Sequence, residues 1–581
     1  MTVHSSESES ESEGGTASVS TASAVLRGIP VSPGAVAAPV AKLAAPPRLP
    51  TARPPVADAA AEERVAQAAL AEVADDLEAR AARANKTAAD VLAAQAMMVR
   101  DPELADRVAR AVRDGAAAPF AVNAAFGSFR DLLAALGGYL GERAADLDDL
   151  RDRVVAVLLG LPMPGLPDPG HPYILVADDL APADTASLDP AKVVAIVTER
   201  GGPTSHTAIL ARALGVPAVV ACTGVLGLED GVAVLIDGAS GVVRVNPGEH
   251  EVAEAVEAAR RTREEAALVT GPGRTADGHA VKLLVNIGAL GDLDAAAAAD
   301  AEGVGLFRTE FLFLDKETEP SFEEQRAAYA KVFAAFEGRR VVVRTLDAGA
   351  DKPLAFAANA TAAEPNPALG VRGLRTSRRM PELLDRQLTA LADAVRDAPT
   401  TTVWVMAPMV STPAEAAEFT QAARDHGLTV AGSMIEVPAA ALRSDAVIEH
   451  CDFLSLGTND LAQYTFAADR MLGELADLLD PWQPALLDLV GRTAQAGVAS
   501  GKPVGVCGEA AADPLLAPVL VGLGINSLSM APVALNPVRA TLAKLTLDQC
   551  RTLADRALTA PDAAAARGLV ADAVHEWTAT A

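Results

Sequence analysis

The chain is poor in cysteine, in aromatic residues and in positive charge. Its four cysteines, Cys222, Cys451, Cys507 and Cys550, form no CxxC pair and no regular spacing. That excludes a disulfide framework and fits free thiols in a reducing cytosol. Aromatic residues make up only 3% of the 581 positions, while alanine is abundant. Such a composition suits many tightly packed helices. Lys and Arg number 49 against 76 Asp and Glu, a net charge of −27. A nucleic-acid ligand demands a basic footprint, so that class is excluded. A local anion site where arginines gather remains open, as does an acidic surface offered to a basic protein partner. One uncharged stretch, Pro514 to Val538, is long enough to resemble a membrane span. Pro518, Asn526, Ser529, Pro532 and Pro537 interrupt it. It reads as a helix followed by a buried strand, in a soluble, cytoplasmic protein. The N-terminus is acidic and serine-rich and shows no basic-then-apolar leader.

The residues that are present divide the chain into two to four domains. Residues 1–23 are Ser/Glu repeats with almost nothing apolar, the composition of a disordered tail. Short apolar runs broken by Gly28, Pro30, Pro33 and Gly34 predict strands and tight turns. From about Val56 to Leu159 apolar residues recur at helical spacing, with breaks at Asp101-Pro102, Gly115 to Pro119 and Gly137-Gly138. That stretch predicts a helical bundle, with nothing catalytic in it. Strands are expected at 173–176, 193–198, 218–222, 232–236 and 242–245, and a charged helix from Glu249 to about Thr270.

The organising stretch is Gly201-Gly202-Pro203-Thr204-Ser205-His206-Thr207-Ala208-Ile209-Leu210-Ala211-Arg212. A β-branched strand precedes it. Two glycines and a proline break the chain, hydroxyls can cap a short helix after the break, and Gly215 stops that helix. His206 therefore falls in the first turn of a helix, where free N–H groups and the helix dipole favour an anion. A histidine there is a candidate for carrying a phosphoryl group on a ring nitrogen.

In the C-terminal half, eight β-rich apolar runs alternate with helical segments over about 280 residues. They are 283–287, 304–307, 341–345, 403–407, 429–435, 453–456, 503–506 and 525–529. Alternation implies a parallel sheet, and eight repeats fit a (β/α)8 barrel. Chemistry should then gather where strands end. The ends carry Asn286, Arg308-Thr309-Glu310, Arg344 with Asp347, Pro408-Met409, Glu436, Asn459-Asp460, Cys507-Gly508-Glu509 and Ser529-Met530, with Arg372 and Arg470 in connections. Arginines converging in an acidic protein point to a ligand bearing a phosphate and a carboxylate. Glu436 and Asp460 among them make most sense as ligands of a divalent cation, and few protein carboxylates suit Mg2+.

The phosphohistidine-like stretch resembles the signature shared by enzyme I of the sugar phosphotransferase system and the pyruvate, phosphate dikinases. Further runs resemble enzyme I: Gly305-Leu306-Phe307-Arg308-Thr309-Glu310, Arg344-Thr345-Leu346-Asp347, Asn366 to Arg372, Met434-Ile435-Glu436-Val437-Pro438, Gly457 to Thr465, and Val506-Cys507-Gly508-Glu509. The resemblance spans about residues 25 to 560. It implies a phosphohistidine α/β swivelling domain (24–50 and 160–248) with an inserted helical subdomain (51–159) that docks the phosphocarrier HPr. A helical linker (249–273), a phosphoenolpyruvate-binding and dimerising TIM barrel (274–560) and a C-terminal helix (561–581) would come next. Carried over, His206 is the phosphoryl acceptor. Arg308, Arg344, Arg372, Asn459 and Arg470 bind phosphoenolpyruvate, Glu436 and Asp460 hold Mg2+, and Cys507 protonates the enolate to give pyruvate. Glycines near 248 and 271–273 would serve as hinges. The chain departs from the family at Pro203, Ala350 and Met471-Leu472. Two alternatives are an ATP-linked dikinase or phosphoenolpyruvate synthase, for which no Gly-rich phosphate loop is present, and a non-catalytic phosphoenolpyruvate sensor, against which the intact His206, Glu436, Asp460 and Cys507 speak.

Overall fold

The computed structural model describes residues 24–44, 46–81, 86–136, 144–161, 164–180, 188–202, 206–314, 316–349, 354–357, 364–470 and 472–579. The expected tail, the Gly137-Gly138 break, Pro203 to Ser205, Ala350 and Met471 lie outside them. The chain forms two compact units, one built on 38–199 and 224–234, the other on 25–37, 200–223 and 235–581.

Among the described residues of the first unit five helices form a bundle: α1 (Ala59–Ala81), α2 (Lys86–Val99), α3 (Pro102–Arg113), α4 (Ala118–Leu136) and α5 (Ala144–Leu159). The break predicted at Asp101-Pro102 is a helix start. Asp101 accepts the N–H groups of Glu103 and Leu104 at 2.8 and 3.4 Å, and Pro102 opens α3, where no N–H is needed. Leu70, Val73, Leu77, Val108, Phe126 and Val154 meet in the bundle core.

Among the described residues eight strands stand outside the barrel: β1 (Val25–Arg27), β2 (Ile29–Ser32), β3 (Ala35–Lys42), β4 (Tyr173–Ala177), β5 (Val193–Thr198), β6 (Ala218–Val220), β7 (Ala233–Asp237) and β8 (Val242–Val245). In the first unit β4 runs parallel to β3 and to β5, with Val40 opposite Ile174 and Val176 opposite Val197. In the second unit β1 pairs with β8 and β2 with β6, both antiparallel. The helix predicted after the glycine-rich break is α6 (His206–Leu214), and Gly215, at φ +66°, ends it. Strand β6 stops before its expected end because Ala221 turns to φ +51°. The charged helix is α7 (Glu249–Leu268).

The remainder of the second unit is a closed barrel of eight parallel strands: β9 (Lys282–Ile287), β10 (Gly303–Arg308), β11 (Arg340–Arg344), β12 (Thr402–Ala407), β13 (Ala431–Ile435), β14 (Leu454–Leu456), β15 (Val504–Val506) and β16 (Ser527–Met530). Closure is by β16 against β9, with Leu528 opposite Leu283. All eight predicted runs are strands. The last begins two residues later than expected. Gly524 takes φ +109° and the Ile525 N–H closes back on Leu520 O at 3.1 Å, still finishing the preceding helix. Outward-facing side chains pack under the helices: Phe307 meets Tyr329 edge-on at 6.3 Å, beside buried Phe333 and Phe336. Each such side chain contributes about 1.5–3 kcal/mol on burial. The inward ends of the strands are thus held rigidly enough to aim polar groups.

Gly303 opens β10 at φ +144°, and a Cβ there would stand 2.2 Å from the carbonyl oxygen of Arg340. Both the backbone conformation and the close approach forbid a side chain. Gly303→Ala is expected to destabilise the barrel by roughly 2–4 kcal/mol, read as a lowered urea midpoint in equilibrium unfolding. An unchanged midpoint would show that β10 can re-register.

Candidate active site at the barrel mouth

The C-terminal ends of the strands bring eight charged side chains together. β10 ends on Arg308, which is exposed and makes no ion pair among the described residues. β11 ends on buried Arg344, which donates to Glu310 Oε1 at 2.5 Å and lies 3.5 Å from Asp347 Oδ2. Arg372 is 1% exposed. It donates from Nε and Nη2 to the two oxygens of Asp347 at 3.3 and 2.8 Å, and from Nη1 to Asp460 Oδ1 at 3.2 Å and Tyr464 OH at 3.3 Å. Arg470 reaches Asp460 Oδ2 at 3.7 Å. The predicted arginines are therefore not a bare cationic cluster. Glu310, Asp347, Glu436 and Asp460 oppose Arg308, Arg344, Arg372 and Arg470, charge for charge.

Burial works against the charge on Arg344 and Arg372. The neighbouring carboxylates outweigh it and hold both guanidiniums firmly protonated. Backbone geometry fixes their positions. A Cβ on Gly349 would lie 2.4 Å from that of Arg372, so only glycine lets the two loops touch. Thr309 Oγ1 donates to Arg344 O at 3.0 Å, and Gln387 braces Thr309 and the N–H of Leu346 at 3.1 and 2.9 Å.

Glu436 comes directly after β13 and is 1% exposed. Its Oε1 accepts the N–H of Met409 at 2.7 Å. Met409 takes φ +59°, a conformation that costs a non-glycine residue about 1–2 kcal/mol and here aims its amide at the carboxylate. Burial, then the charges of Asp460 and Asp347, push the Glu436 carboxyl up to about 7 against the pull of Arg344 and Arg372. A carboxyl raised by a neighbouring carboxylate is one whose ionised form a divalent cation would favour. Among the described residues no group of three or more His, Cys, Asp or Glu side chains is arranged to hold a metal.

Asn459 and Asp460 sit in the first turn of the helix Thr458–Phe466 after β14. Asn459 Oδ1 accepts the Glu509 N–H at 3.1 Å. Cys507, just after β15, is buried; Ser455 Oγ donates to its sulfur at 3.2 Å. Burial pushes the thiol above its ordinary pKa, so it carries its proton at neutral pH, within the field of Arg344, Glu436 and Arg308.

His206 is the first residue of α6; its ring, with Pro203 to Ser205, lies outside the described part of the structure. The same helix carries Arg212, which pairs with Glu509 and donates from Nε to Val31 O at 2.8 Å. Gly202 packs on Ala476 so closely that a Cβ would fall 2.9 Å from that of the alanine. The glycine-rich loop and its helix thus rest against the connections after β14 and β15. Sequence alone gives Arg212, Tyr464 and Ser455 no role, and it marks Glu310, Asp347, Met409 and Glu509 only as strand-end residues. Nothing in the local pattern distinguishes a strand-end acid that braces an arginine from one that binds a metal.

Three stretches match families of phosphoenolpyruvate-utilising enzymes: their N-terminal domain over residues 27–143, their mobile domain over 169–241 and their PEP-binding domain over 262–547. Those matches set the class. Within it, a phosphoenolpyruvate-protein phosphotransferase of Streptomyces coelicolor is 55% identical over 93% of this chain and 98% of its own length. Proteins of the same name from Haloferax volcanii and Geobacillus stearothermophilus are 41% and 37% identical, covering 83% and 87% of this chain and 86% and 90% of their own. The chain belongs to the phosphoenolpyruvate-protein phosphotransferase family.

The raised Glu436 carboxyl has a measurable consequence. Its proton is held more tightly in the folded state, so the stability it lends is full below its unfolded pKa of about 4.5 and is lost as pH rises through about 7. Between pH 5 and 8 the metal-free protein should lose more thermal stability than Glu436→Gln does. Added Mg2+ should stabilise the wild type more at pH 8 than at pH 5. Parallel melting curves for the two proteins would show that Glu436 is ionised throughout.

Proposed function

We propose that the protein transfers the phosphoryl group of phosphoenolpyruvate to a ring nitrogen of its own His206, releases pyruvate, and passes the group to a histidine of the phosphocarrier HPr, the first step of sugar uptake by a phosphotransferase system. The observation that carries this reading is the barrel mouth: four arginines, two of them buried and pinned by carboxylates, around a protonated, buried thiol. Arg308, Arg344, Arg372 and Arg470 would hold the phosphate and carboxylate of the substrate, with Asn459 beside them. Preorganised guanidiniums that need not move are the protein's main contribution to a phosphoryl transfer, in which positioning and charge neutralisation dominate. Neutral His206 attacks phosphorus in line and the bridging oxygen leaves as the enolate of pyruvate. Cys507 then gives its proton to the enolate carbon. Glu436 and Asp460 are the residues that would hold Mg2+, which, when bound, neutralises charge on the substrate's oxygens.

His206 must reach the mouth and then leave it. The contact of Arg212 with Glu509 fits the receiving position, since it ties the histidine's helix to the loop that carries Cys507. The bundle α1–α5 would be the HPr-docking subdomain, and dimerisation through the barrel and a cytoplasmic location belong to the same reading. Among the described residues no helix is long and apolar enough to cross a membrane.

Phosphoenolpyruvate labelled at phosphorus should give an acid-labile, Mg2+-dependent label on the wild type, discharged by HPr and absent from His206→Ala. Label that survives this substitution, or that comes only from ATP, would overturn the assignment. Arg372→Lys keeps the charge but loses the fork that spans Asp347 and Asp460. It should lower kcat/KM for phosphoenolpyruvate by about 100-fold or more in a pyruvate-release assay.

A further inference from the structure

Barrels of this type are filled by layers of bulky branched side chains. Here the layer beneath Cys507 is built differently. Gly305, Ser455, Gly505, Ser527 and Ser529, with apolar Leu284, Val342, Phe453, Leu454 and Val506 between them, line a cavity that continues from the Cys507 thiol towards the N-terminal end of the strands. The two glycines make room for hydroxyls, Gly505 for one on the adjacent strand and Gly305 for one across β9. A Cβ on Gly505 would lie 2.3 Å from Ser527 Oγ, its partner in register, and one on Gly305 would lie 2.4 Å from Ser529 Oγ. The space open to the centre of a water molecule is about 20 Å3. That is room for one water, set against the hydroxyls of Ser455, Ser527 and Ser529 in a wall that is otherwise largely apolar. Ser529 donates to Asn286 at 2.6 Å, and Asn286 in turn donates to Cys507 O at 3.2 Å, so that side of the wall is fixed. Ser455 donates to the Cys507 sulfur at 3.2 Å and keeps its lone pairs for a donor from the cavity. At the far end the lining is Arg340 stacked on Trp404 at 4.3 Å, with Pro503 beside them, all three only half-buried.

We propose that this serine-lined side of the lumen is a proton entry for the Cys507 thiol, with Ser455 as the relay that returns a proton to the sulfur after each turnover. The inference rests on Cys507 being the proton donor. Each turnover removes one proton from sulfur: the S–H bond breaks, a C–H bond forms on the enolate, and a thiolate is left. The mouth above is then closed by substrate, arginines and product. The thiolate is one hydrogen bond from the Ser455 O–H, which gives it a proton. Ser455 takes one from lumen water, and that water takes one from solvent at the strand N-termini. The thiol and the hydroxyl are both restored, and the net proton comes from bulk water. Ser455 touches no substrate in this scheme and is a positioning residue acting through Cys507.

The scheme separates the first turnover, which uses the proton already on sulfur, from all later ones. The test tracks pyruvate by rapid quench with phosphoenolpyruvate, Mg2+ and excess HPr. In Ser455→Ala the first equivalent of pyruvate should form within about twofold of the wild-type rate. Later turnovers should be slower by about tenfold or more, with an enlarged solvent deuterium isotope effect, giving a burst. Ser455→Thr, which keeps a hydroxyl, should abolish the burst. Ser527→Val, which fills the lumen without touching the sulfur, should reproduce it. Equal slowing of first and later turnovers, or no slowing of either, would overturn the relay. Cys507→Ala should lose the first equivalent itself; a normal first equivalent from it would overturn the donor assignment beneath the proposal, a failure distinct from that of the relay.

Discussion

Burying ionised groups is the constraint on which the rest of this molecule turns. Arg344, Arg372, Glu310, Asp347, Glu436 and Asp460 are all less than a tenth exposed. An isolated charge at that depth costs several kcal/mol after relaxation, so none of the six can be placed without the others. The pairing is correspondingly dense: Asp347 holds both arginines, and Asp460 is shared between Arg372 and Arg470. The network ties β11, the connection that carries Arg372 and the helix after β14 into one object. The same pairing leaves the mouth close to neutral in spite of its arginines. On the proposed reading, a divalent cation and an anionic substrate enter together with balanced charge, and the mouth's affinity for either alone is tempered by the other's absence.

Much of the architecture was legible because parallel barrel strands are buried on both faces and read as unbroken apolar runs between helices. Each of the eight runs is a strand, and the residues flagged at their ends do meet. The errors in bounds have local causes. The positive φ of Ala221 ends one strand early, and the left-handed Gly524 delays another. Partnership was not legible. Asp347 and Asp460 look alike as acids near strand ends. Only the fold shows that Asp347 is saturated by two guanidiniums, whereas Glu436 receives an amide from the strained Met409. Nor could the pattern show that Ser455 touches Cys507, since the two lie 52 residues apart and meet only through the register of β14 against β15.

Glycine marks the places where this register is under most pressure. Gly349, Gly457 and Gly508 each stand where a Cβ would collide with a site residue or its support: Arg372, Glu436 and Thr458. In sequence these are ordinary loop glycines after strands. In the fold they are the reason that loops from four different strands approach within van der Waals contact at the mouth. Substituting Gly349 or Gly457 presses directly on a buried charged group, Arg372 or Glu436, so the effect on activity should exceed the effect on stability.

The thiol poses the remaining physical problem. A proton donor to carbon must be protonated, which favours burial, and must be recharged, which favours water. Burial of Cys507 meets the first demand by disfavouring the thiolate. It also removes the sulfur from solvent on the substrate side. The polar route left within the barrel is downward, through the space that Gly305 and Gly505 open beside Ser527 and Ser529. A barrel filled with valine and leucine there would pack better and be more stable. Keeping serine and glycine in that layer forgoes part of that packing and leaves space beside a buried sulfur, which on the proposed mechanism a single-turnover donor would not need but a cycling one does.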